Sequence, residues 1–473
     1  MTNVINLPIK ANVPEIERPV HSVPVDDLVA AGKRLRDTVP RARQGVWKRS
    51  KDRPDPIALL QASDAGRMPE LIPIRYGRML QTPFTFFRGS VNVMAADLAT
   101  TPVTGVQVQA CGDCHLLNFG GFATPERNIV FDINDFDETL PAPWEWDVKR
   151  LVASFVLAAR ANGMSESAGR EAAVATARSY RERLRDTAEM SPLEAWYAKI
   201  GLEDFLGLVD EPDVKKRILR RVEKAKDDRA SDVDYPKLAE MVGGQVHIKD
   251  QPPLIFHPEF TREKDFRDFL DKALADYRET LPDDRRALLD RYRLVDMAIK
   301  VVGIGSVGRY CSIGLFMSAS NQPLFLQFKQ AVPSILEPYA GKSLYGHAGQ
   351  RVVMGQRLMQ SSSDIFLGWV TGREGREVYV RQLRDAKIKP LVETFDRNML
   401  DTYGKACGWA LARAHGRASH PWLICGYLGA SDAFDEAMGD FAVAYADQAE
   451  RDHAALKAAV SDGRIKVHME EDR

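Results

Sequence analysis

The chain has 473 residues, 45% of them hydrophobic, with 65 basic and 66 acidic residues and a formal net charge of −1. That length buries a large core and suggests two or three domains, and the charge balance argues for neither a nucleic-acid nor a membrane partner. No apolar run approaches the roughly 18 residues that span a bilayer, the first twenty residues lack a signal-peptide pattern, and the five cysteines read as reduced thiols of a cytoplasmic protein.

Residues 1 to about 24 are Pro-rich and aperiodic and read as an extended arm. Residues 25–38 have helical spacing. A basic stretch over 41–53, containing Trp47, reads as a solvated surface or as an anion contact. Residues 71–98 carry Arg75, Arg78 and the unit Phe84-Thr-Phe-Phe-Arg-Gly-Ser90, whose aromatics suit a core. Arg88, beside a glycine, is a candidate phosphate contact.

The densest polar stretch is Cys111 to Glu138. Asp113, His115 and Asn118 precede a short apolar run, Asn128-Ile-Val-Phe131, that reads as a strand. Asp132, Asp135, Asp137 and Glu138 follow it. Carboxylates that converge in this way repel unless a cation or a catalytic task holds them together.

Beyond the break at 141–143, residues 144–161 form a strong amphipathic helix pattern. Further helices are expected over 165–188, 193–206, 214–225, 263–280 and 282–299. From Lys300 the texture turns glycine- and β-rich, over 301–317 and 324–330. A helix over 349–360 comes next, then strands over 364–370 and 377–383 joined by a glycine-rich turn. Helices over 392–418 and 433–460 close the chain. The organisation expected is an N-terminal arm with helices (1–110), a catalytic and metal-loop region with helices (111–299), a small β lobe (300–385), and a hinge with C-terminal helices (386–473).

Asp113, Asn118 and Asp135 make up the acidic inventory of phosphoryl transfer. One Asp orients or deprotonates the acceptor hydroxyl, and an Asn and a second Asp hold Mg²⁺ against nucleotide phosphates. Asp137 is a further metal ligand, and His115 fixes the loop or helps the base. A paired-carboxylate hydrolase would use similar residues. The tilt comes from Gly303-Ile-Gly305-Ser306-Val-Gly308, followed by a strand and then by Leu-Phe-Leu-Gln-Phe-Lys329. Strand, glycine turn, strand, strand with lysine is the phosphate-covering hairpin of a kinase small lobe. The glycines let backbone approach phosphate, and the lysine neutralises its charge. Glu337 is the nearest acid to orient Lys329, with Gln356 as the alternative. Tyr379-Val-Arg381-Gln-Leu383 reads as the approach to an adenine-binding hinge. Cys111-Gly-Asp-Cys114-His115 matches a c-type haem attachment pattern, but that chemistry needs export. A structural zinc needs further ligands, and His347 and His415 stand alone.

GDCHLLNFGGF followed by VFDINDFDETLPAPWEWDVKRL resembles the bacterial family called domain of unknown function 2252. FFRGS, GIGSVGRYC, PLFLQFKQA, GQRVVMGQRLMQ, FLGWV and YVRQLRD extend the resemblance over most of the chain. The loop Gly112-Asp113-x-His115-x-x-Asn118 also looks like the catalytic loop of aminoglycoside phosphotransferases and choline kinases. In those enzymes a histidine and a glycine precede the Asp, whereas position 111 here is Cys. Asp135-Phe136-Asp137 is similar to their metal loop, and Asp147 resembles a later Asp that braces the catalytic loop from a helix start. Asp147 is also simply a helix-N-terminal charge that the dipole favours.

The resemblance implies an α+β fold of protein-kinase-like, two-lobed type. It is circularly permuted, because the glycine loop and lysine follow the catalytic loop instead of preceding it. Permutation requires the original termini to lie close together. Residues near 80–110 and 419–460 are therefore expected to pack together beside the catalytic loop, with Lys329 within about 15 Å of Asp135. The expected activity is ATP- and Mg²⁺-dependent phosphoryl transfer to an unidentified, small-molecule acceptor. Nucleotidyl transfer and a turnover-free nucleotide-binding regulator are the alternatives.

Overall fold

The helix Trp144–Ala161 is enclosed on all sides, from Trp144 through Ala159. A helix apolar all round belongs to a core, and charges on it must find partners. Glu145 accepts from Thr104 N and Thr104 Oγ1, both at 2.7 Å. Lys149 donates to Pro102 O at 3.2 Å. Asp147 and Arg150 turn to the loop that follows the first strand. The helices Glu166–Glu189, Arg397–Arg417 and Ala433–Ser461 pack around this central rod. Two of them start at residues suited to capping: Ser165 accepts from Ala168 N, and Asp396 from Met399 N.

The computed structural model describes residues 23–227, 235, 237–259, 264–383 and 387–470, so the expected N-terminal arm lies almost wholly outside the described residues. The fold is α+β with antiparallel sheets. Strand β1 (Gln107–Ala110) pairs with β4 (Leu140–Pro143). Strands β2 (Phe119–Ala123) and β3 (Ile129–Ile133) form a hairpin, and β5 (Ile200–Gly201) pairs with β3. Strands β6 (Ala239–Val242) and β7 (Gln245–Ile248) form a second hairpin.

The remaining strands are β8 (Ile255–Phe256), β9 (Tyr292–Lys300), β10 (Cys311–Ser318), β11 (Pro323–Gln330), β12 (Gly368–Thr371) and β13 (Glu377–Gln382). They make one sheet in the order β12-β13-β11-β10-β9-β8. Side chains alternate between its faces. Leu324, Leu326 and Phe328 pack with Phe266 and Tyr277 of the helix Lys264–Glu279. Ile313, Leu315 and Phe325, on the face that carries Lys329, are covered by Ala239, Ile248 and Ile255.

Several sequence expectations are corrected. Only Asp283–Leu289 of 282–299 is helical, because residues 292–300 pair with both β8 and β10. The sheet therefore begins well before Lys300. The helix expected over 193–206 is split into Pro192–Tyr197 and Leu202–Gly207 by β5, where Asp204 accepts from Gly201 N at 2.8 Å. Strand β12 starts at Gly368, since the Asp364 carboxylate turns the chain by accepting from Phe366 N. The basic stretch carries structure: Arg53 is buried between Asp97 (2.7 Å) and Asp452 (2.6 Å).

Tyr445 donates to Asp97 at 2.8 Å, and His453 Nε2 lies 2.9 Å from Leu80 O. The segments near 80–110 and 419–460 thus do pack together. Among the described residues, no helix is long and apolar enough to cross a membrane.

Candidate active site

The loop after β1 is held from three sides. Gly112 has φ 87°, and a Cβ there would lie 2.3 Å from Glu138 O, so the position needs glycine. Asp147, in the first turn of Trp144–Ala161, accepts from Cys111 N at 2.7 Å and Gly112 N at 3.0 Å. His415 Nε2 lies 3.2 Å from the same carboxylate. Two turns on, Ser154 Oγ accepts from Leu116 N, and Tyr403 OH donates to Leu116 O and Phe119 O. His115 Nδ1 accepts from Leu117 N at 3.2 Å, which puts its proton on Nε2. Burial, with Arg88 and Arg150 nearby, pushes its pKa well below the ordinary value, so the ring is neutral and fixes the loop.

Asp113 projects from this frame. Its Oδ1 accepts from Arg150 Nε at 2.6 Å, while the side chain keeps 23% exposure to the cavity. Burial raises its pKa, and Arg150 opposes the shift. Asn118 donates its amide to Asp113 O, which leaves Oδ1 as a possible ligand atom.

The hairpin β2–β3 carries the chain to the second acidic loop, and Asn134 N donates to Asn118 O at 2.7 Å, tying the two loops together. Asp132 does not belong to the site. It is fully buried, bonded to Arg413 Nη2 at 2.6 Å and to Ser361 N and Oγ at 2.8 Å each. Asp135 and Asp137 converge on Lys329. The lysine lies 3.6 Å from Asp135 and forms a close ion pair with Asp137. Tyr379 OH donates to Asp137 Oδ1 at 2.7 Å.

Burial works against ionising Asp135, yet Lys329, Arg381 and Lys387 hold it well below the usual carboxylate range. Asp137 is shifted upward by burial and by Asp135. Burial likewise opposes the lysine's charge, and the two carboxylates outweigh it, keeping Lys329 protonated. Asn118, Asp135 and Asp137 together offer hard oxygen ligands of the kind Mg²⁺ takes.

The glycine loop joins β9 to β10 and closes the cavity. Gly303 and Gly308 adopt φ 67° and 82°, and Ser306 Oγ approaches Asp137 Oδ2 at 3.5 Å. The loop is tied to an early segment of the chain. Arg78 donates to Gly303 O, Arg67 to Val307 O at 2.5 Å, and Met68 N to Gly308 O at 2.8 Å. Asp113, Asn118, Asp135, Asp137, Gly303, Gly305, Ser306 and Lys329 thereby line one cavity of about 150 Å³. A second cavity, of about 520 Å³, has Phe122, Asn134, Tyr292, Phe366, Arg381 and Lys387 in its wall.

Two nucleotide-contact expectations fail. Glu337 does not orient Lys329: its carboxylate accepts from Ser334 N at 3.3 Å. Gln356 is bonded to Gln360. The helix Ala348–Met359 instead extends Arg351 to Asp137 O, Thr139 O and Val332 O, so the lysine takes its counter-charges from Asp135 and Asp137 themselves. Leu383 N is committed to Phe325 O, and its side chain packs with Ile313, outside both cavities. Arg381 does reach the site, half-buried, acting on Asp135 and anchored on Gln327 at 2.9 Å.

Sequence reasoning missed Arg150 and Arg351. Each acts from a helix of ordinary amphipathic pattern, and nothing in the pattern marks it.

A protein-family model described as an uncharacterized protein conserved in bacteria (DUF2252) matches residues 67–459, which takes in every residue of both cavity walls except Ser63. No curated protein and no solved structure matches the chain.

Proposed function

The chain belongs to the DUF2252 family, and on that premise we propose that it is an ATP- and Mg²⁺-dependent phosphotransferase built on a circularly permuted, kinase-like fold. The observation that carries this reading is Lys329 standing between Asp135 and Asp137 on the wall of a cavity shared with Asp113 and the glycine loop. The element order supports it. Strand, glycine loop, strand, lysine strand, helix and two strands follow one another from β9 to β13, as in a kinase small lobe.

Asn118, Asp135 and Asp137 would hold Mg²⁺, which supplies charge neutralisation at the phosphates. Lys329 adds a fixed cation, and the glycine loop offers backbone N–H groups. Asp113, oriented through Oδ1 by Arg150, presents Oδ2 to the acceptor hydroxyl. Its upward-shifted pKa suits a proton acceptor. The apolar sheet face beside Lys329 is covered by β6–β7, so the nucleoside is assigned to the larger cavity, whose volume falls in the range of about 300–1,000 Å³ usual for ligand sites.

The Asp113–Arg150 ion pair favours one rival, a nucleotide-binding regulator without turnover. Incubation with Mg²⁺ and γ- or α-labelled ATP separates the readings. Transfer of γ label, lowered roughly 10²–10⁴-fold in Asp113→Ala and lost in Asp135→Ala, is expected. Transfer of α label alone means nucleotidyl transfer, binding without transfer means the regulator, and neither binding nor transfer ends the proposal.

A further inference from the structure

Part of the wall of the smaller cavity, which Lys329 also lines, is built from guanidinium groups. Arg67, Arg75 and Arg88 come from the early segment and Arg309 from the end of the glycine loop. Such a concentration of like charge in a partly dry space is unfavourable. Asp64 is the carboxylate that pairs with them, at 2.6 Å from Arg75 and 3.9 Å from Arg67. Their other hydrogen bonds go to uncharged oxygens: Arg75 to Ser63 Oγ and Gly89 O, Arg67 to Ser63 O and Val307 O, and Arg309 to Ala65 O and Ser63 O. Asp113 and Glu138 are the acids that face the group across the cavity.

Three atoms on lining residues lack a hydrogen-bond partner: Arg75 Nε, Arg88 Nε and Asn92 Oδ1. The side chain of Arg75 is 1% exposed. Buried polar atoms are normally satisfied, so the unpartnered Nε atoms of Arg75 and Arg88 add to a group of guanidiniums that carries more positive charge than Asp64 balances.

We propose that this wall is the acceptor's anion subsite, and that the acceptor is a small hydroxylated molecule bearing a phosphate or carboxylate group. The inference rests on the phosphotransferase reading for the word acceptor, while anion binding stands without it. The nucleotide side has its own cations in Lys329 and Arg381, which are the first groups that act on Asp135. The arginine group acts on Asp113 and Glu138 instead. One wall therefore serves the donor and the other serves the molecule that Asp113 deprotonates.

The test uses the full chain with inorganic phosphate and, separately, acetate as probes, read by calorimetry beside ATP binding. Saturable phosphate binding is expected, weakened at least about tenfold in Arg88→Gln and Arg309→Gln and retained in Lys329→Met. Tighter acetate than phosphate binding assigns a carboxylate acceptor, and the reverse a phosphorylated one. Binding of neither anion, or binding indifferent to both arginine substitutions, overturns the proposal. So does phosphate that competes with ATP for one site. Loss of ATP binding with anion binding intact would instead remove the phosphotransferase reading.

Discussion

Replacing Asp147 with Asn tests whether the loop that carries Asp113 is set by the central helix. In the wild type the carboxylate accepts two backbone N–H groups, from Cys111 at 2.7 Å and Gly112 at 3.0 Å, and its side chain is 2% exposed. Asn offers one acceptor oxygen and turns an NH₂ toward the second N–H. The variant therefore loses one charge-assisted hydrogen bond, about 1.5–3 kcal/mol, and strands one buried donor at about 1–3 kcal/mol. Together the loss is about 4 kcal/mol, read as a lower urea midpoint at unchanged slope. The freed loop carries Asp113, and a displacement of about 1 Å lowers turnover roughly 10²-fold. A stability loss below about 1 kcal/mol would refute the hydrogen-bond assignment. A full loss with label transfer unchanged would refute the idea that the loop positions Asp113.

Lys329→Met leaves Asp135 and Asp137 facing each other; since these acids keep 35% and 27% exposure, the cost is roughly 2–3 kcal/mol, below the range for fully buried pairs. Mg²⁺ should raise the melting temperature of this variant more than that of the wild type, and equal shifts would count against a shared cation site. Asp132→Ala strands the enclosed Arg413 and should cost about 3–5 kcal/mol, with part of the loss recovered in Asp132→Ala/Arg413→Met. Strict additivity of the two substitutions would contradict direct coupling. Beside strand β9, His257 has its pKa raised above the ordinary value by Asp296 and Asp250. A raised folded value stabilises fully below the unfolded pKa and ceases to do so as pH climbs through the folded one. The melting gap between wild type and His257→Gln should therefore be wider near pH 6 than near pH 8.5, and a flat gap would exclude the ion pairs.

The parts of the fold legible in the sequence are those with local signals. Residues 25–38 and 144–161 are helical over the expected spans, because apolar spacing alone defines them. Asp113, Asn118, Asp135 and Lys329 could be picked out because their chemistry limits the residue types at those positions. The strand 292–300 was not legible. Its flanking charges and mixed pattern suit a helix until β8 and β10 are present to pair with it. The substitution of Arg351 for a lysine-orienting acid was equally hidden, since a guanidinium bonded to backbone carbonyls needs no particular residue opposite. The clamp on the glycine loop joins Arg67 to Val307, 240 positions apart, and neither end carries a mark.

Chain order has a consequence for synthesis. Asp113 meets its cation, Arg150, only 37 positions later, so that pair can settle early. The acids of the second acidic loop cannot. Lys329 follows Asp137 by 329 − 137 = 192 positions, and Arg413 follows Asp132 by 281. At roughly 5–20 residues per second, Asp135 and Asp137 wait about 10–40 s on the ribosome for their lysine. During that interval the nascent chain carries a knot of unneutralised carboxylates at its heart. The last third of translation, which delivers the neutralising cations, is then the moment at which the first third becomes a finished site.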